Sequence, residues 1–177
     1  MPTFVALLRG INLGRAKRVA MADLKRIIED LGHRDVVTYI VSGNAVFTGT
    51  GGAASIEKAI EKSIKSELGL EVVMMVRGAN DMKKVVAKNP FIKQGADPAA
   101  LHVAFLKKKP TADAVRAVDP ERFAPDELAV DGRTVYLHLP KGYAKANLGN
   151  AQVEKLLGVP ASTRNWRTVG KLVEMMG

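Results

Sequence analysis

Apolar residues fill both alternating sets of positions across Thr3–Leu8, with Phe4, Ala6 and Leu8 on one set and Val5 and Leu7 on the other. A strand of that kind is central and covered on both faces. Met21, Leu24, Ile27, Ile28 and Leu31 then recur at helical spacing, and Gly32 supplies the stop. The β-branched run over residues 36–41 predicts a strand, Ser42-Gly43-Asn44 a turn, and residues 45–48 the return strand. After the flexible Gly49-Thr50-Gly51-Gly52, Ser55 is placed to cap a helix. Its stripe is Ile56, Ile60, Ile64 and Leu68, and Gly69 ends it. Residues 70–76 read as a further strand. Met82, Val85 and Val86 mark a short helix that stops before Asn89-Pro90.

The second half repeats this order. Leu101–Leu106 is a strand, and Thr111 caps a helix carrying Ala112, Val115 and Val118. Strands over 128–130 and 134–139 flank Asp131-Gly132, a strong hairpin signal. Val153, Leu156 and Leu157 lie on a short helix stopped by Gly158, a weak extended piece covers 159–163, and Val169, Leu172, Val173 and Met176 define the last helix. The pattern predicts an α+β protein of two fused ferredoxin-like (β-α-β-β-α-β) modules with additional helices. The first spans residues 1–90 and carries an Arg-Gly loop. The second spans 91–177 and ends in the C-terminal helix. The halves share element order without residue-level identity. The two-faced first strand predicts a fused pair of modules rather than beads on a string.

Composition narrows the chemistry. The chain has 177 residues and no cysteine, which removes thiolate nucleophiles, disulfides and zinc–thiolate sites and fits a reducing, cytoplasmic setting. The N-terminus lacks a basic region followed by an apolar one, so no signal peptide is expected. No apolar run approaches the roughly 20 residues a bilayer requires, so no membrane partner is expected. The formal net charge is +9, and both halves are net basic. Such a balance suits phosphate-bearing ligands, nucleic acid or acidic partners, and equally a solvated basic surface. At 5%, aromatic residues are too few to favour a platform for stacked bases.

The candidate chemistry gathers at the first loop, Arg9-Gly10-Ile11-Asn12-Leu13-Gly14-Arg15-Ala16-Lys17-Arg18. Here a strand hands over to a helix, a place where backbone N–H groups meet anions. In the predicted topology this loop lies at the same sheet edge as the Ser42-Gly43-Asn44 turn. Arg9, Gly10, Asn12, Gly14, Ser42, Gly43 and Asn44 then offer a guanidinium, close approach over glycine, a hydroxyl and two carboxamides to an oxyanion. The same residues also serve as ordinary turn formers. The loop is neither a Walker A sequence nor a dinucleotide fingerprint. In the second module the matching edge holds Lys107, Lys108, Lys109 and Asp131-Gly132-Arg133. If the two edges face one another, they form one basic cleft. Near the C-terminus, Thr163 or Asn165 is a natural helix cap, and Arg164 with Asn165 is a second candidate anion contact. His102 and His138 fall on neighbouring strands on one predicted face, without the carboxylate spacing of a metal site. No cofactor motif is present.

Three motifs in this order resemble a bacterial family catalogued as domain of unknown function 1697: Leu8-Arg9-Gly10-Ile11-Asn12-Leu13-Gly14, then Thr38-Tyr39-Ile40-x-Ser42-Gly43-Asn44, then Thr163-x-Asn165-Trp166-x-Thr168-Val169. The resemblance spans nearly the whole chain. It implies a small cytosolic α+β protein of paired ferredoxin-like modules and implies no reaction. The basic run from Arg15 to Arg18 departs from the glycine often found there. Three functional expectations follow. The first is binding of a phosphorylated small molecule, nucleotide or nucleic acid in a basic cleft. The second is a small hydrolase or transferase acting on phosphate or carboxylate compounds. There, by analogy with acylphosphatases, Arg9 would hold the anion and Asn44 would orient a water. The third is a non-catalytic protein-interaction module.

Overall fold

Two four-stranded antiparallel sheets organise the chain in a computed structural model, which describes residues 1–11, 17–40 and 42–177. By internal contacts the chain divides into two units, Met1–Lys84 with Leu172–Gly177, and Val85–Lys171.

In the first unit, β1 (Thr3–Leu8) is followed by α1 (Met21–Asp30), β2 (Arg34–Tyr39), β3 (Asn44–Thr48), α2 (Ala53–Leu68) and β4 (Met74–Gly78). The strand order is β2-β3-β1-β4, and every neighbouring pair is antiparallel. Leu24, Ile27 and Ile28 of α1 and Ile56, Ile60 and Ile64 of α2 pack with Phe4, Ala6, Leu8, Phe47, Met74 and Val76 into one core. The helical stripes read from the sequence are therefore the core-facing stripes. Val5 and Leu7, on the opposite set of β1 positions, are also fully buried. The first strand is covered on both faces, as its pattern requires.

The second unit repeats the order. Helix α3 (Ala79–Ala87), whose residues up to Lys84 belong to the first unit, and the single turn α4 (Pro90–Lys93), capped by Asn89, lead to β5 (Leu101–Leu106). Then come α5 (Ala112–Arg116), β6 (Glu127–Asp131), β7 (Thr134–His138), α6 (Asn150–Leu157), β8 (Ala161–Asn165) and α7 (Trp166–Met176), which belongs to the first unit from Leu172 on. The sheet runs β6-β7-β5-β8, again antiparallel throughout. Ala104, Leu106, Val135 and Leu137 meet Val153 and Leu157 of α6 in the core. On the other face Phe91 of α4 packs on His138, and the Tyr136 hydroxyl donates to Val85 O at 2.8 Å. Burial, with a contribution from Asp131, pushes that phenol up to about 12.

The same main-chain bonds recur at matching places. Leu8 N–H donates to Gly43 O and Leu106 N–H to Arg133 O, both at 2.9 Å. One residue on, Arg9 N–H donates to Val73 O at 2.8 Å and Lys107 N–H to Pro160 O at 2.9 Å. The halves also share a residue that the sequence comparison missed. Arg77 of β4 stands opposite Val5 of β1, and Arg164 of β8 opposite Val103 of β5. Each donates from Nη1 to the carbonyl of the residue before it, at 3.2 and 3.1 Å.

Several boundaries differ from the sequence reading. Strand β4 begins at Met74 rather than residue 70, because its register starts with Leu8↔Met74. Ahead of it Glu71 is exposed and pairs with Lys65 at 2.9 Å. Ser55 does not cap α2, which starts at Ala53 behind Gly52 without a side-chain cap. The two histidines lie on opposite faces of their sheet, not on one. His102 sits opposite Leu137 and His138 opposite Leu101, and a one-residue step reverses the face. Among the described residues no helix is long and apolar enough to cross a membrane.

Candidate functional site

The end of β1 and the β2–β3 turn meet at one edge of the first sheet. Leu7 pairs with Asn44, and Leu8 N–H reaches Gly43 O. The strand then breaks outward. Arg9 is exposed with its N–H bound to Val73 O, and Gly10 is exposed at φ +57°. The next side chain, Ile11, returns to the core at 1% exposure. The loop is thus pinned by backbone on one side of Arg9 and Gly10 and by an apolar anchor on the other.

The turn is built just as firmly. Gly43 has φ +91°, and a Cβ there would lie 2.7 Å from Ile11 Cδ1 and 2.9 Å from Leu8 Cβ. This glycine is required by the approach of the first loop, whatever else it does. Asn44 is fully buried, and its side-chain amide donates to Tyr39 O at 2.9 Å and to Ser42 Oγ at 3.2 Å. Its carboxamide therefore holds the turn closed. Ile40 adopts φ +50°, a conformation that a β-branched residue rarely takes.

Of the sequence-derived set, Arg9, Gly10, Ser42, Gly43 and Asn44 share this edge, while Asn12 and Gly14 lie outside the described residues. Arg164 and Asn165 belong to the other unit. Arg164 is 7% exposed, donates from Nη1 to Ser162 Oγ at 2.6 Å, and is pulled down to about 10 by burial. Asn165 accepts from Thr168 N–H at 2.8 Å and so caps α7. Thr163, the other candidate cap, instead donates its hydroxyl to Asn150 Oδ1 at 2.7 Å. Sequence reasoning passed over two buried charged residues. Arg77 is 3% exposed in β4, and Glu57 of α2 accepts from Val76 N–H at 2.9 Å. The signal for Arg77 was its place in an otherwise apolar strand. For Glu57 it was its position beside Ile56 and Ile60 on the inward stripe. Among the described residues no group of three His, Asp or Glu side chains could hold a metal ion.

A family model described as protein of unknown function (DUF1697) matches residues 1–136. The chain belongs to this family. The match takes in both motifs of the first unit and leaves the Thr163–Val169 motif outside, a narrower span than the sequence resemblance gave. A solved structure described as conserved bacterial protein SP0830 from Streptococcus pneumoniae is similar to this DUF1697 protein over 99% of each chain. Their sequence identity is 20% and the TM-score 0.77, a likeness of fold. No curated protein matches.

Proposed function

We propose that this protein binds an anionic ligand, a phosphorylated small molecule or nucleotide, at the edge of the first sheet around Arg9, Gly10 and the Ser42-Gly43 turn. The observation that carries the reading is the way the main chain of Arg9 is held. Its main chain is fixed to Val73 O while its side chain is at the surface. A guanidinium on a held backbone suits bidentate capture of an oxyanion. The net charge of +9 favours such ligands. Binding is favoured over hydrolysis because a hydrolytic role needs the Asn44 amide to orient water, and that amide is bonded to Tyr39 and Ser42. We also infer that each unit is a ferredoxin-like module of a bacterial, cytoplasmic protein. The strand orders, with a helix between first and second strands and another between third and fourth, support that arrangement.

Isothermal titration calorimetry against pyrophosphate, nucleoside mono- to triphosphates and a short RNA tests the site. Arg9→Ala is expected to weaken the best ligand about 10- to 100-fold, the worth of hydrogen bonds to a charged group, and Arg9→Lys to restore part of it. RNA as ligand would show affinity falling steeply with salt. Unchanged affinity in Arg9→Ala removes the site.

A further inference from the structure

The second unit holds a cavity at the place that corresponds to the first-unit loop. About 310 Å³ opens between the β5–α5 connection and the β6–β7 turn. Pro110, Val115 and Val130 form its apolar wall with Ala112 beside them, and Lys109 and Arg116 line it as cations. Val115 and Val130 back directly onto the core of this unit. Gly132, also in the lining, has φ +58°, and no described residue lies within 4 Å of where a Cβ would be, so the turn leaves the mouth open.

The charges at this mouth are not equal. Arg116 is paired with Asp113. Lys109 has no carboxylate partner among the described residues, is exposed, and follows Lys107 and Lys108 in the chain. An apolar pocket of this size with one convergent charge is the usual build of a small-molecule site.

We propose that this cavity binds a small amphipathic carboxylate, with its hydrocarbon body against Pro110, Val115 and Val130 and its carboxylate at the Lys109 ammonium. Charge complementarity sets the head group, because the ammonium attracts a monoanion that the paired Arg116 does not. The apolar wall sets the tail, because an inorganic anion leaves that surface in water.

The probes are octanoate, 1-octanol and acetate, titrated into the full-length protein and followed by amide NMR and calorimetry. Octanoate is expected to shift the Val115, Val130 and Gly132 amides and to bind about fivefold more tightly than 1-octanol, the worth of one exposed charge pair. Acetate is expected to shift none of them. Lys109→Met keeps the apolar stem and is expected to bring octanoate down to the level of 1-octanol. Ala112→Glu, at the first position of α5 where an acidic residue is tolerated, is expected to abolish octanoate binding by filling and repelling. Equal binding of octanoate and octanol, octanoate binding that survives Ala112→Glu, or shifts confined to other amides would each overturn the proposal. Arg9→Ala is expected to leave octanoate binding unchanged, so failure here and failure of the first-unit site are separate results.

Discussion

Gly43 and Gly10 look alike in the sequence, two glycines in turns that flank one proposed site, and the structure gives them different work. At Gly10 no described residue lies within 4 Å of a Cβ, so among the described residues an alanine meets only the left-handed backbone. At Gly43 it meets the left-handed backbone together with Leu8 and Ile11. Gly10→Ala is therefore expected to cost about 1 kcal/mol and Gly43→Ala about 2–4 kcal/mol in urea unfolding. Equal losses would mean that the first loop moves aside without resistance. The contrast also shows what a single sequence can carry. It marks a glycine as a place of permitted conformation. It does not reveal that the space in front of the glycine is filled by Ile11, a residue thirty-two positions earlier. Asn44 makes the same point. Its type suited both a turn and a ligand, and only the bonds to Tyr39 and Ser42 decide for the turn.

At the scale of elements, the caps read from the sequence hold where the capping side chain precedes a helix that tertiary packing also starts there. Thr111 accepts from Ala114 N–H at 3.1 Å, and Gly69 and Gly158 end α2 and α6 in the left-handed conformation. The strand reading ended two residues early at both β4 and β8, and for one reason. It followed hydrophobicity, so it stopped short of Arg77 and Arg164, whereas pairing with β1 and β5 carries both strands through those arginines. Side-chain ties between segments were invisible for a related reason, since they join residues far apart in the chain. Asp126, 2% exposed before β6, accepts at Oδ2 from Asn147 N–H at 2.6 Å and Leu148 N–H at 3.2 Å, fixing the approach to α6. Asp126→Asn is expected to lower stability by about 1.5–3 kcal/mol in denaturant titration. Loss of amide protection from hydrogen exchange should concentrate at residues 147–148. An unchanged midpoint would show that water replaces the carboxylate.

For the whole molecule, the doubled order of strands and helices was legible because periodicity survives without any matching letters. Two sheets with identical strand order follow from that order. The matched arginines, the cavity beside Lys109 and the burial of the histidines were not legible, because each depends on register. Burial pulls both His102 and His33 below their ordinary value near 6.5. The native chain therefore takes up protons at these rings less readily than the unfolded chain does as the pH falls through about 6.5. Stability from this source is present above that value and is lost as pH falls through it. The urea midpoint is expected to drop between about pH 7.5 and 5.5, and His102→Gln to flatten that slope. A variant as steep as the parent would remove His102 as the source and leave His33, which His33→Gln then tests.

The repeated main-chain bonds at the ends of β1 and β5 carry a further meaning. Arg9 and Lys107 are both secured through their own N–H, to Val73 O and Pro160 O. A peptide group is the same in every residue but proline. The scaffold thus fixes the location of the position just beyond the strand and leaves the choice of side chain open. Connections of very different length follow these two anchors, reaching Met21 in one unit and Ala112 in the other. In evolutionary terms, each anchor is a socket. Recognition chemistry can be exchanged there, and the loop behind it lengthened or cut, while the sheet keeps its register.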